Sequence, residues 1–369
     1  MRHALITGAA GFIGRHAVRE FVEQGWRVFA LVHKASSSLL DQLASHGRVT
    51  LIRGDVTRAA NLAERLKRAM KDGAASLDVL VHCAARTSDV GWRREFRRTN
   101  FESVRDLVAM AQDLSVGRFV FVSTTDVYGL KDFNGEDEDE LPLAANPRNP
   151  HPEFKIASER WIRRHLPPER YAIVRPAAVW GAGDTTLTPR IAKFLRRSPW
   201  IVHFGKWRGA NRWPLAHVRN VAAAIFLAAV SSEAAGCAIN VLDDERTSIE
   251  DFYRIVAERF LPGKTFREVC LPLWVGEAAG AIVSTVSNCL NLDRPLIDPS
   301  LYAVRSVSSN LDFSNRKFLQ LLAKAGRPIV TREEGMRELD EDDARRSAMG
   351  RPSQSDRPAS RGAAACLRE

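Results

Sequence analysis

"LITGAAGFIGRHAVREFVEQG", residues 5–25, carries the strongest structural signal in the 369-residue chain. A short aliphatic run ends at Thr7, glycines follow at positions 8, 11 and 14, and apolar residues then recur at helical spacing. A strand that turns through glycines straight into a helix leaves the first helical N–H groups unpaired, and the helix dipole adds positive potential there. Phosphate suits such a terminus, so Gly8, Gly11, Phe12, Ile13 and Gly14 are candidate contacts for a pyrophosphate. The spacing is GxxGxxG rather than GxGxxG. The physical demands are shared: a tight turn, close backbone approach to the ligand, and close helix–strand packing.

Outward from this stretch, short apolar runs alternate with helical patterns. "HALIT" (3–7), "RVFALV" (27–32), "VTLIR" (49–53), "LDVLVHC" (77–83), "RFVFVS" (118–123) and "YAIVRP" (171–176) have the near-continuous hydrophobicity of strands covered on both faces. Helical stretches fall at 13–24, 59–71, 93–114 and 152–166. The fold class expected is α/β, a Rossmann-type doubly wound parallel sheet with a smaller C-terminal substrate-binding lobe. The dinucleotide-binding part spans 1–176, with return elements around 215–245 that include "AINVL" (238–242). Residues 177–338 mainly form the lobe. From 339, charge blocks mixed with Pro, Ser, Arg and Ala read as a disordered tail to 369.

Composition is that of a globular protein, 45% hydrophobic and 27% charged. Five scattered cysteines, without a CxxC pair or a cluster with histidine, imply reduced thiols, a cytoplasmic setting and no metal site. A strand beginning at once leaves no room for a signal peptide. The net charge of +10 comes from dispersed basic pairs with no aromatic-interleaved stripe, which argues against nucleic acid as a partner. The apolar run 271–292 is interrupted by Pro272, Glu277 and Asn288, so no transmembrane segment is expected. An amphipathic helix roofing an apolar pocket is one reading of it; weak membrane-surface contact through 271–290 is the other.

The second strand runs into His33 and Lys34, where a site selective for NAD usually carries an acidic residue. Basic groups suit a 2′-phosphate, so NADP(H) is slightly favoured over NAD(H) as the NAD(P)(H) cofactor; solvent exposure of both residues is the alternative. Asp55, followed by Val56, comes after the third strand and is placed to meet an adenine amino group.

With these residues the chain resembles the extended short-chain dehydrogenase/reductase superfamily, the NAD(P)-dependent epimerase/dehydratase group with its 3β-hydroxysteroid dehydrogenase and dihydroflavonol reductase relatives. The likeness covers roughly 3–338 and rests on "TGAAGFIG" (7–14), "GDVT" (54–57), "VHCAA" (81–85), "RTNFESVRDLVAMA" (98–111), "VSTTDVYG" (122–129), "HPEFKIASE" (151–159), "VRPAAVWGAGD" (174–184) and "HVRNVAAAIFLA" (217–228). The resemblance implies that Ala84, Ala85 and Pro176 line the cofactor and that Asn100 steadies the central helix. It implies that Thr124, with Thr125 beside it, grips the substrate oxygen, and that Lys155 bonds the nicotinamide ribose. A homodimer acting on a small-molecule substrate is the expectation.

One position departs from the family pattern. Where its catalytic tyrosine would stand, four residues before Lys155, this chain has His151. A nearby ammonium destabilises imidazolium, so His151 is expected to be neutral, a better proton acceptor than donor. Phe154 makes the surroundings more apolar. Asp126 is a candidate compensating acid, or else a loop carboxylate capping a turn. Drift in a protein that has lost catalysis is the alternative account of His151. Arg212 lies near the place of a diphosphate-binding arginine, one residue farther from His217 than usual, while Trp207, Trp213 and Pro214 suit an apolar substrate or simple core packing. Three functions follow: an NAD(P)(H)-dependent oxidoreductase acting on a hydroxyl or keto group of a mostly apolar or aromatic metabolite, a sugar-nucleotide epimerase or dehydratase with tightly held NAD, or a non-catalytic NAD(P)-binding sensor or scaffold.

Overall fold

The computed structural model describes residues 1–33, 36–70 and 76–348; Lys34 and the chain from 349 onward lie outside the described residues. Seven strands make the main sheet: β1 (His3–Thr7), β2 (Arg27–Val32), β3 (Val49–Arg53), β4 (Val79–His82), β5 (Arg118–Val122), β6 (Tyr171–Pro176) and β7 (Ala238–Val241). Their order is β7-β6-β5-β4-β1-β2-β3 and every neighbouring pair is parallel. The order reverses between β1 and β4, the place where open α/β sheets leave a crevice at the carboxyl ends of their strands.

Strand alternation sorts the apolar residues into two cores. Ala4, Ile6, Val28, Val81 and Val120 face one side, with Phe21 of the first helix (Phe12–Glu23) and Ile225 of the helix Val218–Val230. Leu5, Phe29, Leu80 and Phe119 face the other, with Leu66, Leu107 and Ile162 from the helices Ala59–Met70, Ser103–Asp113 and Pro150–His165. A sheet covered on both faces needs the continuous apolar runs that the strands carry.

The helix Pro150–His165 brings the critical residues inside. Asn149 caps it by accepting the backbone N–H of His151 at 2.8 Å, Pro150 occupies the first turn, and Arg163, Arg164 and His165 meet the negative end of the dipole. Lys155 and Glu159, one turn apart, are both buried.

In the lobe, the helix Leu273–Cys289 lies against the helix Leu301–Ser308 with glycines at the contact: a Cβ on Gly280 would stand 2.7 Å from the backbone N of Leu301. Its apolar side chains largely turn outward instead of roofing an enclosed pocket, with Trp274 69% and Ile282 67% exposed. No helix among the described residues is long and apolar enough to cross a membrane. The tail expected from 339 is corrected over its first part: the helix Arg332–Ala348 continues through it, because Leu339 is buried in the first core and Asp340 pairs with Arg259.

Candidate active site

The glycine turn is as tight as backbone chemistry permits. Gly8 has φ +65°, and a Cβ there would meet the Ala84 backbone at 2.7 Å; a Cβ on Gly14 would stand 2.1 Å from the Gly8 carbonyl oxygen. Gly11 N–H donates to Gly8 O at 2.9 Å, and the helix from Phe12 begins with no side-chain cap and no acidic residue in its first turn. Thr7 ties β1 to β4 at the switch point, with its Oγ1 2.7 Å from His82 Nδ1 and accepting the Ala84 N–H at 3.3 Å. These features fit a pyrophosphate, which would lie against the uncapped N–H groups of Phe12 and Ile13.

Beyond β3, Asp55 Oδ1 accepts the Thr57 N–H at 2.9 Å and its Oδ2 lies 3.7 Å from the exposed His33 ring. Burial raises the Asp55 carboxyl, but the Thr57 hydrogen bonds and His33 outweigh it and leave it below the ordinary value. Val56 is buried core, and Pro176 is buried at the end of β6, paired with Val241. Ala84 and Ala85 are partly buried beyond β4, next to the glycine turn.

Lys155 reaches the carboxyl end of β5, where its Nζ donates to Val122 O at 2.6 Å and lies 4.6 Å from the Phe121 ring centroid. Burial pushes its ammonium down to about 8, against the pull of Cys83 and Glu159. Glu159 is held by Ser123 Oγ at 2.6 Å and by Arg175 Nε at 3.0 Å; Arg175 also donates to Tyr128 at 2.6 Å, and Tyr128 donates to Asn240 at 2.8 Å. This buried polar chain fixes the helix of Lys155 against β5 and β6. Each group has a partner, as buried polar groups require.

His151 has a decided tautomer. Its Nδ1 lies 3.1 Å from the Arg86 carbonyl oxygen, which can only accept, so Nδ1 carries the hydrogen and Nε2 keeps a lone pair. That carbonyl also accepts from Asn100 Nδ2 at 2.9 Å, while Asn100 Oδ1 accepts the Arg86 N–H at 2.7 Å. Asn100 sits in a π-helical turn, Arg98–Glu102, and its own carbonyl takes the Ser158 hydroxyl at 2.6 Å. Asn100 therefore aims the group that orients His151. Burial, then Lys155, push the imidazole down to about 3, so the ring is neutral at pH 7.

Thr124 closes a short 3₁₀ turn, Thr125–Tyr128, by accepting the Asp126 N–H at 3.2 Å; Thr125 itself is buried. Asp126 caps no helix with its carboxylate. It instead accepts the phenol of Tyr302 from the lobe. Burial raises the Asp126 carboxyl, Tyr302 and Thr124 lower it, and Asp89 raises it again, with a net rise. Asp89 binds Arg190 and Ser300, each at 2.6 Å. Tyr302, Asp89 and Arg190 come from segments without a motif and were missed in the sequence; the one usable signal is that the chain has only 4 tyrosines to supply a phenol.

Two expected contributors sit elsewhere. Trp213 is buried against Phe252, with ring centroids 5.1 Å apart, and Trp207 donates to Asp132 at 3.0 Å. Both are accounted for by packing and surface contacts, so neither argues for an apolar substrate. Arg212 is anchored by its backbone, its N–H bonding Asn310 at 2.7 Å, and its guanidinium has no ion pair or hydrogen bond among the described residues. No group of metal-ligating side chains occurs among the described residues.

Residues 4–241 match the family described as the NAD dependent epimerase/dehydratase family. The chain belongs to that family. Among curated relatives of this family, a 4-hydroxy-2-methyl-3-oxo-4-farnesyl-3,4-dihydroquinoline-1-oxide ketoreductase from Stigmatella aurantiaca is 29% identical over 61% of this chain and 63% of its own length. That match thus spans less than two thirds of the relative. A 2-alkyl-3-oxoalkanoate reductase from Shewanella oneidensis is 26% identical over 91% of this chain and 85% of its own. Epimerase Mth375 from Methanothermobacter thermautotrophicus shares the fold, with TM-score 0.70, 19% identity and 94% of each chain covered. Membership in the epimerase/dehydratase family accords with the seven-stranded parallel sheet and with the glycine cradle at its switch point.

Proposed function

We propose that this chain is an NAD(P)(H)-dependent oxidoreductase acting on a hydroxyl or keto group of a small, mostly apolar molecule. The observation that carries the reading is an oriented, neutral His151 one helical turn from Lys155, whose Nζ reaches Val122 O, two residues before Thr124, at the carboxyl end of β5. The nicotinamide, when bound, supplies or takes the hydride at the substrate carbon. Lys155 holds the ribose, Thr124 donates to or accepts from the substrate oxygen, and His151 Nε2 accepts a hydrogen bond from the substrate hydroxyl. In this tautomer Nε2 has no proton to give. The relatives' names, a ketoreductase on a farnesylated ring and a reductase of an alkyl oxo acid, support an oxo carbon on an apolar body.

A second reading has its own support: the guanidinium of Arg212, without a partner among the described residues, is what an anionic substrate, such as a nucleoside diphosphate sugar, would need. One experiment separates the two. The protein is mixed with NADPH or NADH deuterated at C4 and with alkyl oxo acids, prenylated ketones or 4-keto nucleotide sugars, and products are read by mass spectrometry. Deuterium on the carbinol carbon of an apolar ketone is expected. Transfer only to nucleotide sugars favours the second reading, and failure to bind either cofactor overturns both. His33→Asp is expected to turn the cofactor preference from NADPH toward NADH.

A further inference from the structure

Reduction of a carbonyl needs a proton donor, and neutral His151 lacks one at Nε2. The nearest acid to Thr124 on the same turn is Asp126, whose backbone N–H donates to the Thr124 hydroxyl oxygen at 3.2 Å. The Asp126 side chain is met from the other lobe, where Tyr302 on the helix Leu301–Ser308 donates its phenol to a carboxylate oxygen. Asp89 faces both residues from the loop beyond β4, and it is held in turn by Ser300 Oγ and by Arg190, which also binds Asp298 at 2.8 Å. A phenol thus enters the site from a segment far from the helix where the family carries its tyrosine.

We propose that Asp126 exchanges the proton with the substrate oxygen and that Tyr302 is the positioning residue that holds its carboxyl against Thr124. The proposal rests on the redox reading above and adds the donor that His151 does not provide. In the reduction direction, a hydride from the reduced nicotinamide forms the new C–H bond, and the carbonyl π pair moves onto oxygen. The Asp126 O–H bond breaks, its electron pair stays on the carboxylate, and the proton bonds to that oxygen. The new carboxylate keeps the Tyr302 O–H as donor. Oxidation of an alcohol runs the same exchange backward.

The electrostatics agree with this division of labour. Burial and Asp89 raise the Asp126 carboxyl toward the range where it carries a proton, while Tyr302 and Thr124 restrain the rise. The Tyr302 phenol is pushed well above its ordinary value by burial, Asp126 and Asp89, with Arg190 opposing, so it remains a donor throughout.

The test reads the protonated-carboxyl C=O band by difference infrared spectroscopy on the full chain without cofactor, alongside pH–rate profiles. The expected result is a titrating band absent in Asp126→Asn. Its midpoint moves up by about half to one pH unit in Tyr302→Phe, as loss of one hydrogen bond to the carboxylate requires. The reductive pH–rate profile moves the same way, with activity persisting to higher pH. Asp89→Asn should move the band down, which keeps the test decisive if Tyr302→Phe folds poorly. An unmoved band in an active enzyme, or a moved band with an unmoved rate profile, overturns the proposal. A moved band in a protein that transfers hydride to no carbonyl overturns the redox reading instead and leaves the Tyr302–Asp126 contact standing.

Discussion

His151 Nδ1 stands 3.1 Å from the carbonyl oxygen of Arg86, a group that accepts and never donates. That single contact assigns the hydrogen on the ring and leaves Nε2 as a lone pair. Burial, and then Lys155 one turn away, hold the imidazole neutral, so residue 151 presents an acceptor where a phenol would present a donor.

Replacing the ring therefore affects chemistry more than binding. His151→Ala should lower kcat by about 10-fold to 10²-fold, the weight of one hydrogen bond that orients the substrate hydroxyl, with cofactor affinity little changed. His151→Tyr should shift the pH–rate profile, because a phenol beside an ammonium titrates in a different range. Steady-state kinetics across pH checks both. Superimposable profiles for wild type and both variants would remove His151 from the mechanism.

Gly14→Ala tests the cradle. Its Cβ would stand 2.1 Å from the Gly8 carbonyl oxygen, so the helix must move away from the turn that presents its N–H groups. Loss of measurable NAD(P)H binding by fluorescence titration is expected, together with a lower Tm. A variant that binds cofactor like wild type would place the dinucleotide elsewhere.

Lys155 links stability to pH. Its buried ammonium is depressed to about 8 from 10.5, so between those values the unfolded chain binds more protons than the folded one. Stability from this group rises as pH rises through that window, and its cost is fully present below about 8. Relative to Lys155→Met, wild type should thus gain in unfolding free energy between pH 8 and 10. Urea unfolding of both proteins across that window measures the difference; a flat difference would mean that the amine is not desolvated.

The Glu159–Arg175 pair stands for the supporting shell. Both groups are buried and hydrogen-bonded, so removing one partner strands the other charge. Glu159→Ala should cost about 3–5 kcal/mol, seen as a lower urea midpoint, and should reduce turnover through misplacement of Lys155. A loss under about 1 kcal/mol would show that the pair is not the anchor described here.

The parts legible in the sequence were those encoded locally. Leu5, Phe29 and Leu80 alternate with Ile6, Val28 and Val81 because a sheet covered twice needs both sets, and Gly8 and Gly14 announce the turn that joins strand to helix. Asn100 was expected to steady a helix; its grip on both polar groups of Arg86 depends on a π-helical turn that no residue pattern signals. Tyr302 reaches Asp126 across 176 residues of chain, so only the folded lobe makes the pair visible. Trp213 stays open between substrate wall and core in the sequence because size and apolarity suit both equally, and the fold placed it in the core. The helix through Leu339 was hidden by its charge blocks, where one buried leucine and the Arg259–Asp340 pair give it a place to dock.

The central claim is a neutral imidazole at His151, the proposed catalytic position, with its hydrogen on Nδ1. Nitrogen-15 correlation spectra of histidine-labelled protein, assigned through His151→Gln and recorded from pH 7.5 down to 5.5, test it directly. The account predicts a ring that stays neutral with an Nδ1–H signature across that range. An imidazolium at pH 6, or a neutral ring carrying its hydrogen on Nε2, would contradict it.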